Sequence, residues 1–153
     1  MHTKVQNGNQ RPKTKGMERM ITAEDHLAIT ELIAWHGHLV DDGRLDELDH
    51  VFAVDAVIDL GAFGQSEPCT LQQMIELGRA LGDRNPIGHH VTNTVIVKLE
   101  APDKVEVRSK GIGIRSDGTT GSVTYEDTVI KSGGSWKISY RKIVVRKRPL
   151  GRD

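Results

Sequence analysis

The chain has 153 residues, of which 37% are hydrophobic and 27% are charged, and this size and composition predict one globular domain with a single core. Its only cysteine, Cys69, excludes an internal disulfide and a metal cage built from cysteines, so the sequence favours a reducing cytoplasm. No apolar run is long enough to span a bilayer and no signal peptide is recognisable, so we expect neither a membrane partner nor export.

The 21 basic and 21 acidic side chains cancel overall, but they are distributed unevenly. Residues 1–20 carry five basic side chains and one acidic, and residues 141–153 carry six and one. We predict a disordered basic extension over 1–20, one domain over 21–148 and a tail over 149–153. Basic ends can bind phosphates, but these lack the aromatic residues and the recognition helix of nucleic-acid-binding proteins, so we do not expect nucleic acid as a partner.

An amphipathic helix is predicted at the start of the domain. Thr22 and Asp25 have the spacing of a capping box, and apolar residues follow at helical intervals. The Asp-Asp-Gly turn at 41–43 predicts the end of this helix, because Gly43 suits the left-handed conformation that follows many helices. The domain therefore begins with a helix of about five turns.

The remaining elements predict the fold class. After the first helix we expect a helix at 45–52, a strand at 56–60, a helix from 68 to 82, and strands at 89–99, 104–114, 122–130 and 136–146. The four long strands are separated by short turns that contain Gly, Pro or Asp, which is typical of antiparallel hairpins. Helices followed by such strands predict an α+β domain, in which N-terminal helices pack on the concave face of a curved antiparallel sheet.

Asp41 is the first candidate functional residue. A carboxylate in the last turn of a helix opposes the negative end of the helix dipole, at a cost of about 0.3–1 kcal/mol, so a compensating partner is expected. The alternative is an ordinary polar turn, since Asp is common in turns. His36 lies five positions earlier on the apolar face of the same helix, where it is either a core histidine or a catalytic group.

The pair His89-His90 opens the first long strand. Because neighbouring strand residues point to opposite faces, only one imidazole can face the helices. His89 alternates with the more apolar set of residues, Val91, Asn93, Val95, Val97 and Leu99. We therefore place His89 in the interior, where a carboxylate would hold its ring and tautomer and make it an effective general base, and Asp41 is the natural partner.

Two later strands supply further candidates. Tyr125 and Asp127 share one face of a predicted strand, where they either enter a pocket or form a cross-strand structural pair. Strict alternation places Arg141 on the face opposite Trp136, Ile138 and Tyr140. This alternation does not decide which of the two faces lines the interior.

The sequence predicts neither a metal nor a cofactor. His36 and His38 point about 200° apart on a helix, which does not suit a shared metal ion. The Gly-Ile-Gly segment at 111–113 is followed by a strand, whereas a phosphate-binding loop requires a helix there. Cys69 has no recognisable base beside it, so we expect an inert thiol.

Three segments, "HGHLVDDGRLDELDHVFAVDAVIDL", "GHHVTN" and "YEDTVIKSGGSWKISYRKI", resemble the SnoaL-like group of the nuclear-transport-factor-like α+β cone superfamily, over roughly residues 22–148. Similar members include bile-acid 7α-dehydratase, hexachlorocyclohexane dehydrochlorinase, scytalone dehydratase and polyketide cyclases. The resemblance implies a cone-shaped barrel, a homodimer or higher homo-oligomer, and a catalytic Asp and His that correspond to Asp41 and His89. It also implies a pocket arginine at Arg141, and Tyr or Lys is frequent at the position of His36.

Together these observations predict a cofactor-independent lyase that eliminates water, or a comparable leaving group, from a hydrophobic cyclic small molecule. His89 would abstract the proton, Asp41 would orient its ring, and His36 or Arg141 would assist the departing group. An isomerase or polyketide cyclase with the same base is one alternative. A non-catalytic ligand-binding domain is another, favoured if Asp41 and His89 do not meet inside a closed pocket. An accessory subunit is a third, favoured if Trp35, Phe52 and Trp136 fill the interior. The predicted substrate-binding residues are Trp35, Phe52, Asn93, Tyr125 and Asp127.

Overall fold

The computed structural model describes residues 21–151, so the predicted basic extension lies outside the described residues. The two α-helices in this range are α1 (Ala23–Asp41) and α2 (Leu71–Leu81). The strands are β1 (Phe52–Asp59), β2 (Cys69–Thr70), β3 (Gly88–Ala101), β4 (Lys104–Ile114), β5 (Thr120–Ser132) and β6 (Ser135–Val145). Short 3₁₀ helices cover Leu45–His50, Gly61–Phe63, Gly82–Arg84 and Pro149–Gly151.

Local sequence signals set both ends of α1. The Thr22 hydroxyl accepts a hydrogen bond from the Asp25 backbone N–H at 3.0 Å, and the Asp25 carboxylate accepts from the Thr22 backbone N–H, which completes the predicted capping box. At the other end the helix stops after Asp41, and Gly43 adopts a left-handed φ of 69°. These signals fix the two ends of α1, so Asp41 lies in its last turn.

The six strands form one sheet in the order β2-β1-β6-β5-β4-β3. Strands β3 to β6 form the predicted antiparallel meander. The α+β class is confirmed, but two features differ from the expected architecture. The central pairing of β1 with β6 is parallel, so the sheet is mixed and not purely antiparallel. The sheet is curved and open, so it does not close into a barrel.

The core lies between the helices and the concave face of the sheet. Helix α1 packs mainly on β3, and α2 packs on β1. The fully buried aliphatic side chains come from both layers: Ile29, Ile33, Leu39, Leu48, Val51, Ile58, Val105, Val107, Val129 and Ile138. Each such side chain contributes about 1.5–3 kcal/mol when it leaves water, so this layer holds α1 against the sheet.

The second predicted helix is shorter than expected and the first strand is longer. Residues Leu45–His50 form a 3₁₀ helix, and β1 begins directly afterwards at Phe52, which pairs with Ile138. The backbone N–H of Ile138 donates to the carbonyl of Val51 at 2.9 Å. Val51 and Phe52, which helical spacing assigns to a helix, therefore pair with the sheet. The two-residue strand β2 was not predicted.

Bulges in β3 change which residues face the core. The β3–β4 register shifts between Thr92 and Val95, where β3 carries one extra residue and Asn93 has a positive φ of 54°. Beyond this bulge Ile96 packs against the core, while Val95 and Val97 are half exposed. The prediction that Asn93, Val95 and Val97 share the inner face with His89 is therefore wrong, because a bulge reverses the alternation.

A second reversal occurs in β6. Val129 pairs with Ile138, but Thr128 pairs with Tyr140, so β6 carries one extra residue at Ser139. The bulge brings Arg141 to the same buried face as Trp136 and Ile138. The expectation that Arg141 lies opposite these two residues is wrong for the same physical reason as in β3.

Candidate active site

Asp41 and His89 meet where the end of α1 crosses the start of β3. The His89 Nδ1 atom lies 2.7 Å from Asp41 Oδ1, and the backbone N–H of His89 donates to both carboxylate oxygens at 2.9 and 3.0 Å. Because an ionised carboxylate can only accept, Nδ1 carries the hydrogen and Nε2 of a neutral His89 keeps its lone pair. The Asp41 side chain is 26% exposed and the His89 side chain is 17% exposed, so the pair lies at the edge of the interior.

A glycine allows the two elements to approach this closely. Gly37 lies one helical turn before Asp41, and a Cβ built on it would be 2.3 Å from the carbonyl oxygen of His89. No side chain fits at that distance. The absence of a Cβ at Gly37 thus lets β3 reach the helix, where the donors of His89 offset the unfavourable dipole position of Asp41.

His36 lies behind the pair, in a group of rings. It is buried, and its ring centroid is 5.9 Å from Phe52, 5.9 Å from Tyr125 and 6.4 Å from His89, with edge-to-face geometry in each case. Burial, and secondarily the positive charge of Arg141, hold the pKa of His36 well below its usual value of 6.5. His36 is therefore neutral at neutral pH, and its Nδ1 has no hydrogen-bond partner.

Arg141 and Asp127 form a buried ion pair on the inner face of the sheet. Arg141 Nε and Nη2 donate to the two oxygens of Asp127 at 2.7 and 2.8 Å, and neither side chain is exposed to solvent. The guanidinium carbon also lies 4.4 Å from the ring centre of Tyr125 and 5.3 Å from that of Phe52. The third guanidinium nitrogen, Nη1, has no hydrogen-bond partner.

Tyr125 connects His36 to Arg141. Its ring lies over the backbone of Gly111, where a built Cβ would be 2.6 Å from Tyr125 Cε2. Burial raises the pKa of the Tyr125 phenol, so the hydroxyl stays protonated at neutral pH and can donate a hydrogen bond. We call His36, Phe52, Tyr125, Asp127 and Arg141 the inner cluster.

A model of the SnoaL-like domain matches residues 22–142, which is most of the chain. The chain belongs to the SnoaL-like family. A comparison with the curated proteins gives no match. The match agrees with the resemblance seen in the sequence and with the observed fold.

Solved structures share the fold of this SnoaL-like domain. A candidate scytalone dehydratase from Novosphingobium aromaticivorans is 22% identical, with a TM-score of 0.68 over 85% of this chain and 95% of that chain. A candidate aromatic ring hydroxylase from the same organism is 26% identical, with a TM-score of 0.69 over 84% and 94%. The hexachlorocyclohexane dehydrochlorinase LinA type 2 is 16% identical, with a TM-score of 0.65 over 84% and 96%.

Seven of the nine predicted site residues of the SnoaL-like domain lie in the pair or the inner cluster: Asp41, His89, His36, Arg141, Phe52, Tyr125 and Asp127. Trp35 and Asn93 lie elsewhere. Trp35 is 51% exposed on the outer side of α1, where it lines a surface groove of about 380 Å³ together with Lys131 and Trp136. Asn93 is exposed at the β3 bulge.

Sequence reasoning missed three residues of this site, although each left a signal. Gly37 interrupts an apolar helical face and Gly111 interrupts a strand, and an interior glycine in either element often marks a close approach. Ser109 alternates with Val105 and Val107, which assigns it to the inner face of β4. It is 1% exposed, and its hydroxyl has no hydrogen-bond partner.

Two further features concern residues 21–151. Neither α-helix in this range is long and apolar enough to cross a membrane. Cys69 is partly buried in β2, and this burial raises the pKa of its thiol above the ordinary value. The nucleophilic thiolate is thereby disfavoured, which agrees with the expectation that Cys69 is inert.

Proposed function

We propose that this SnoaL-like domain is a cofactor-independent lyase that eliminates water, or a comparable leaving group, from a hydrophobic cyclic small molecule. The observation that carries the proposal is the contact of 2.7 Å between His89 Nδ1 and Asp41 Oδ1. This contact leaves Nε2 of His89 free to accept a proton. The His89 ring contacts His36, which in turn contacts the rings of Phe52 and Tyr125, so the base lies beside a group of rings that suits a hydrophobic substrate.

In the proposed reaction His89 Nε2 takes a proton from carbon, and the electron pair of that C–H bond forms the new double bond. The leaving group departs with its own electron pair, and the proton on Nε2 passes to the departing oxygen when water is lost. Asp41 stabilises the imidazolium that forms and fixes the ring through two kinds of hydrogen bond, from Nδ1 and from the backbone. A positioned base of this kind contributes typically about 10²–10⁴-fold in rate.

The inner cluster supplies groups that can stabilise negative charge. Arg141 carries a permanent charge, and its Nη1 has a hydrogen to donate. His36 is kept neutral by burial, so its proposed role is that of a neutral hydrogen-bonding group and not of an imidazolium acid. Asp127 holds Arg141 in place and offsets its charge, while Tyr125 and Phe52 cover the guanidinium. The burial of these groups strengthens each interaction.

The comparisons support this class of reaction through the fold. Two of the neighbours are named as a dehydratase and a dehydrochlorinase, and both of these reactions are eliminations. An isomerase or cyclase would share the first step and differ only in the steps after deprotonation. For an accessory subunit we expected Trp35, Phe52 and Trp136 to fill the interior, but Trp35 lies outside it. A hydrophobic small-molecule substrate, a cytoplasmic location and a homodimer remain part of the proposal.

Two assays test the proposal without a known substrate. The first follows the ultraviolet absorbance of enones formed from a panel of cyclic β-hydroxyketones. The second follows deuterium incorporation from D₂O into α-tetralone, which needs only the proposed base. We expect His89→Ala and Asp41→Asn to lower both rates by about 10²–10⁴-fold while the far-UV dichroism is unchanged.

His90→Ala is the matched control for His89→Ala, because His90 is the neighbouring imidazole on the exposed face of β3. Its rates should stay within about twofold of the unmodified protein. Equal turnover in His89→Ala and His90→Ala would refute the proposed base. Deuterium exchange without elimination would retain the base and favour the isomerase or cyclase.

A further inference from the structure

The surface groove of about 380 Å³ between α1 and the β5–β6 hairpin has no part in the proposed reaction. We call it the outer groove. Its apolar lining includes Leu32 and Trp136, which are buried, and Ala28 and Trp35, which are exposed. Trp35 alone leaves 51% of its surface in water. Tryptophan carries a large apolar ring and is enriched in interfaces, so its exposure inside a groove indicates a binding surface.

The outer groove has a net negative charge. Its lining contains three carboxylates, Glu24, Asp25 and Glu31, and one ammonium group, that of Lys131. Lys131 Nζ donates to Asp25 at 2.7 Å, so these two charges offset each other. Among the residues that the structure describes, neither Glu24 nor Glu31 forms an ion pair. They lie seven positions apart, which is about 10 Å along one face of the helix. The outer groove therefore suits an extended partner with a row of positive charges.

The sequence carries such a row shortly before α1. Residues 11–15 read Arg-Pro-Lys-Thr-Lys and contain no acid. An extended chain points alternate side chains to the same side, which would place Arg11, Lys13 and Lys15 in one row about 7 Å apart. Pro12 favours this extended conformation for itself and for the residue before it. The spacing of these cations is comparable to that of the two glutamates.

The basic row has enough chain to reach the outer groove. Arg11 lies ten positions before Ile21, and an extended chain spans about 3.3 Å per residue, so this length covers up to about 33 Å. Trp35, at the far end of the groove, lies 14 positions after Ile21, or about 21 Å along the helix. Gly16 permits the reversal of direction that this path requires, because glycine has no Cβ to restrict its backbone.

We propose that residues 11–15 of the chain dock in its own outer groove, with the basic row against Glu24, Glu31 and the ring of Trp35. A cation over a tryptophan ring is attracted by the electrons of the ring. The groove already contains one such contact, since Lys131 Nζ lies 5.5 Å from the ring centre of Trp136. A segment of the same chain is favoured over a separate partner, because a short connection keeps it at millimolar effective concentration. The proposal does not depend on the lyase activity.

The test uses the full chain and measures acrylamide quenching of tryptophan fluorescence. Trp136 is only 5% exposed, so quenching reports mainly on Trp35, which docking would cover. Lys13→Glu with Lys15→Glu should weaken docking by about 3–10-fold and raise the quenching constant by up to about twofold. Glu24→Lys with Glu31→Lys should do the same. All four substitutions together exchange the charges and should restore the low quenching constant.

Glu67→Lys with Glu76→Lys is the matched control, because it makes the same change in net charge at exposed glutamates outside the outer groove. This pair should leave the quenching constant unchanged. High salt should raise the quenching constant of the unmodified protein but not that of the variant with Glu at 13 and 15, because salt screens exposed charges. That variant changes no residue of the described domain, so its result holds even if the groove variants fail to fold. An unchanged quenching constant in it would overturn the proposal.

A synthetic peptide of residues 10–19 distinguishes the chain's own segment from other partners. The peptide should shift the indole N–H signal of Trp35 in the Lys13→Glu, Lys15→Glu variant. It should bind the unmodified protein about tenfold more weakly, because the linked segment competes with it. Equal binding to both proteins would show that residues 11–15 do not occupy the groove. A quenching constant that falls as the protein concentration rises would assign the groove to the segment of a second copy and would also overturn the proposal.

Discussion

The two ends of α1 each hold a carboxylate that bonds to the sheet, but they do so under opposite conditions. Asp25 lies in the first turn, where the positive end of the helix dipole favours a carboxylate. It accepts hydrogen bonds from Lys131 Nζ at 2.7 Å and from Trp136 Nε1 at 2.8 Å. Asp41 lies in the last turn, where the dipole disfavours it, and its partners are the backbone and imidazole of His89.

This difference separates an anchor from a candidate catalytic group. The hydrogen bonds from Lys131 and then Trp136 hold the pKa of Asp25 well below its usual range, so its charge joins α1 to the β5–β6 hairpin. The position of Asp41 gives no such advantage, because the helix dipole opposes its charge. What Asp41 does provide is a fixed ring orientation for His89. The proposed reaction requires a carboxylate that holds the imidazole in this way.

The largest effect is expected when the Asp41 end of the helix is pushed away from the sheet. In Gly37→Ala the new Cβ would collide with the carbonyl oxygen of His89, so β3 or α1 must shift. We expect the elimination rate to fall by about 10²-fold or more, since a shift of about 1 Å suffices for that loss. We also expect the free energy of unfolding to fall by about 1–3 kcal/mol, measured by urea denaturation.

Gly78→Ala is the control for Gly37→Ala. Gly78 lies inside α2, and the atom nearest to its built Cβ is Leu45 Cδ1 at 3.9 Å, which is an ordinary contact. This substitution should stabilise the protein by up to about 1 kcal/mol, because alanine favours a helix, and should leave turnover unchanged. If Gly37→Ala behaves like Gly78→Ala, the close approach of α1 and β3 does not position His89.

The sequence predicted the local features of this comparison well. The capping box of Thr22 and Asp25 and the end of α1 follow from residues close together in the chain, and period-two patterns located the four long strands. The candidate pair Asp41 and His89 also followed from local arguments, namely a carboxylate against the helix dipole and a histidine on the more apolar face of a strand, together with the family resemblance.

What the sequence did not predict depends on pairing between distant residues. The bulges at Asn93 and Ser139 arise because adjacent strands accommodate one extra residue, and nothing within either strand reveals this. These bulges exposed Asn93 and moved Arg141 to the buried face. Trp35 was misplaced for another reason: it lies beside the apolar stripe of α1 and not within it, as its exposure shows.

The next effect concerns His36, which lies between the two ends of α1. Since burial lowers the pKa of His36 in the folded protein, the unfolded chain binds a proton below pH about 6.5 that the folded protein does not bind. Stability should therefore fall with decreasing pH, by up to about 1.4 kcal/mol per pH unit below that value. His36→Phe should remove this part of the pH dependence in urea denaturation.

His38→Gln is the control for this measurement, because His38 is exposed on the same helix. Its stability should follow the pH dependence of the unmodified protein. An unchanged acid slope in His36→Phe would show that His36 takes up its proton in the folded state, which contradicts a neutral role in the inner cluster.

A smaller effect is expected at the anchored end. Asp25→Asn removes the charge that Lys131 and Trp136 bind, and we expect the melting temperature at pH 7 to fall by roughly 2–4 °C. The folded-state pKa of Asp25 lies below its unfolded value, so this stability is present above pH about 4 and is lost as the pH falls further. The difference in melting temperature should narrow in acid. Turnover should be unaffected, and a loss of turnover at constant stability would erase the distinction between the two ends.

The smallest effect is expected at Asp42, the exposed neighbour of Asp41. Asp42 is also an acid at the negative end of the helix, so Asp42→Asn should stabilise the protein by about 0.3–1 kcal/mol, measured by urea denaturation. Asp41→Asn also removes a negative charge from this end of the helix, but it weakens the hydrogen bond to His89 as well. If turnover depends only on the negative charge at this end of the helix, the two variants will lose turnover equally. If the contact with His89 is what matters, Asp42→Asn will keep its turnover and only Asp41→Asn will lose it.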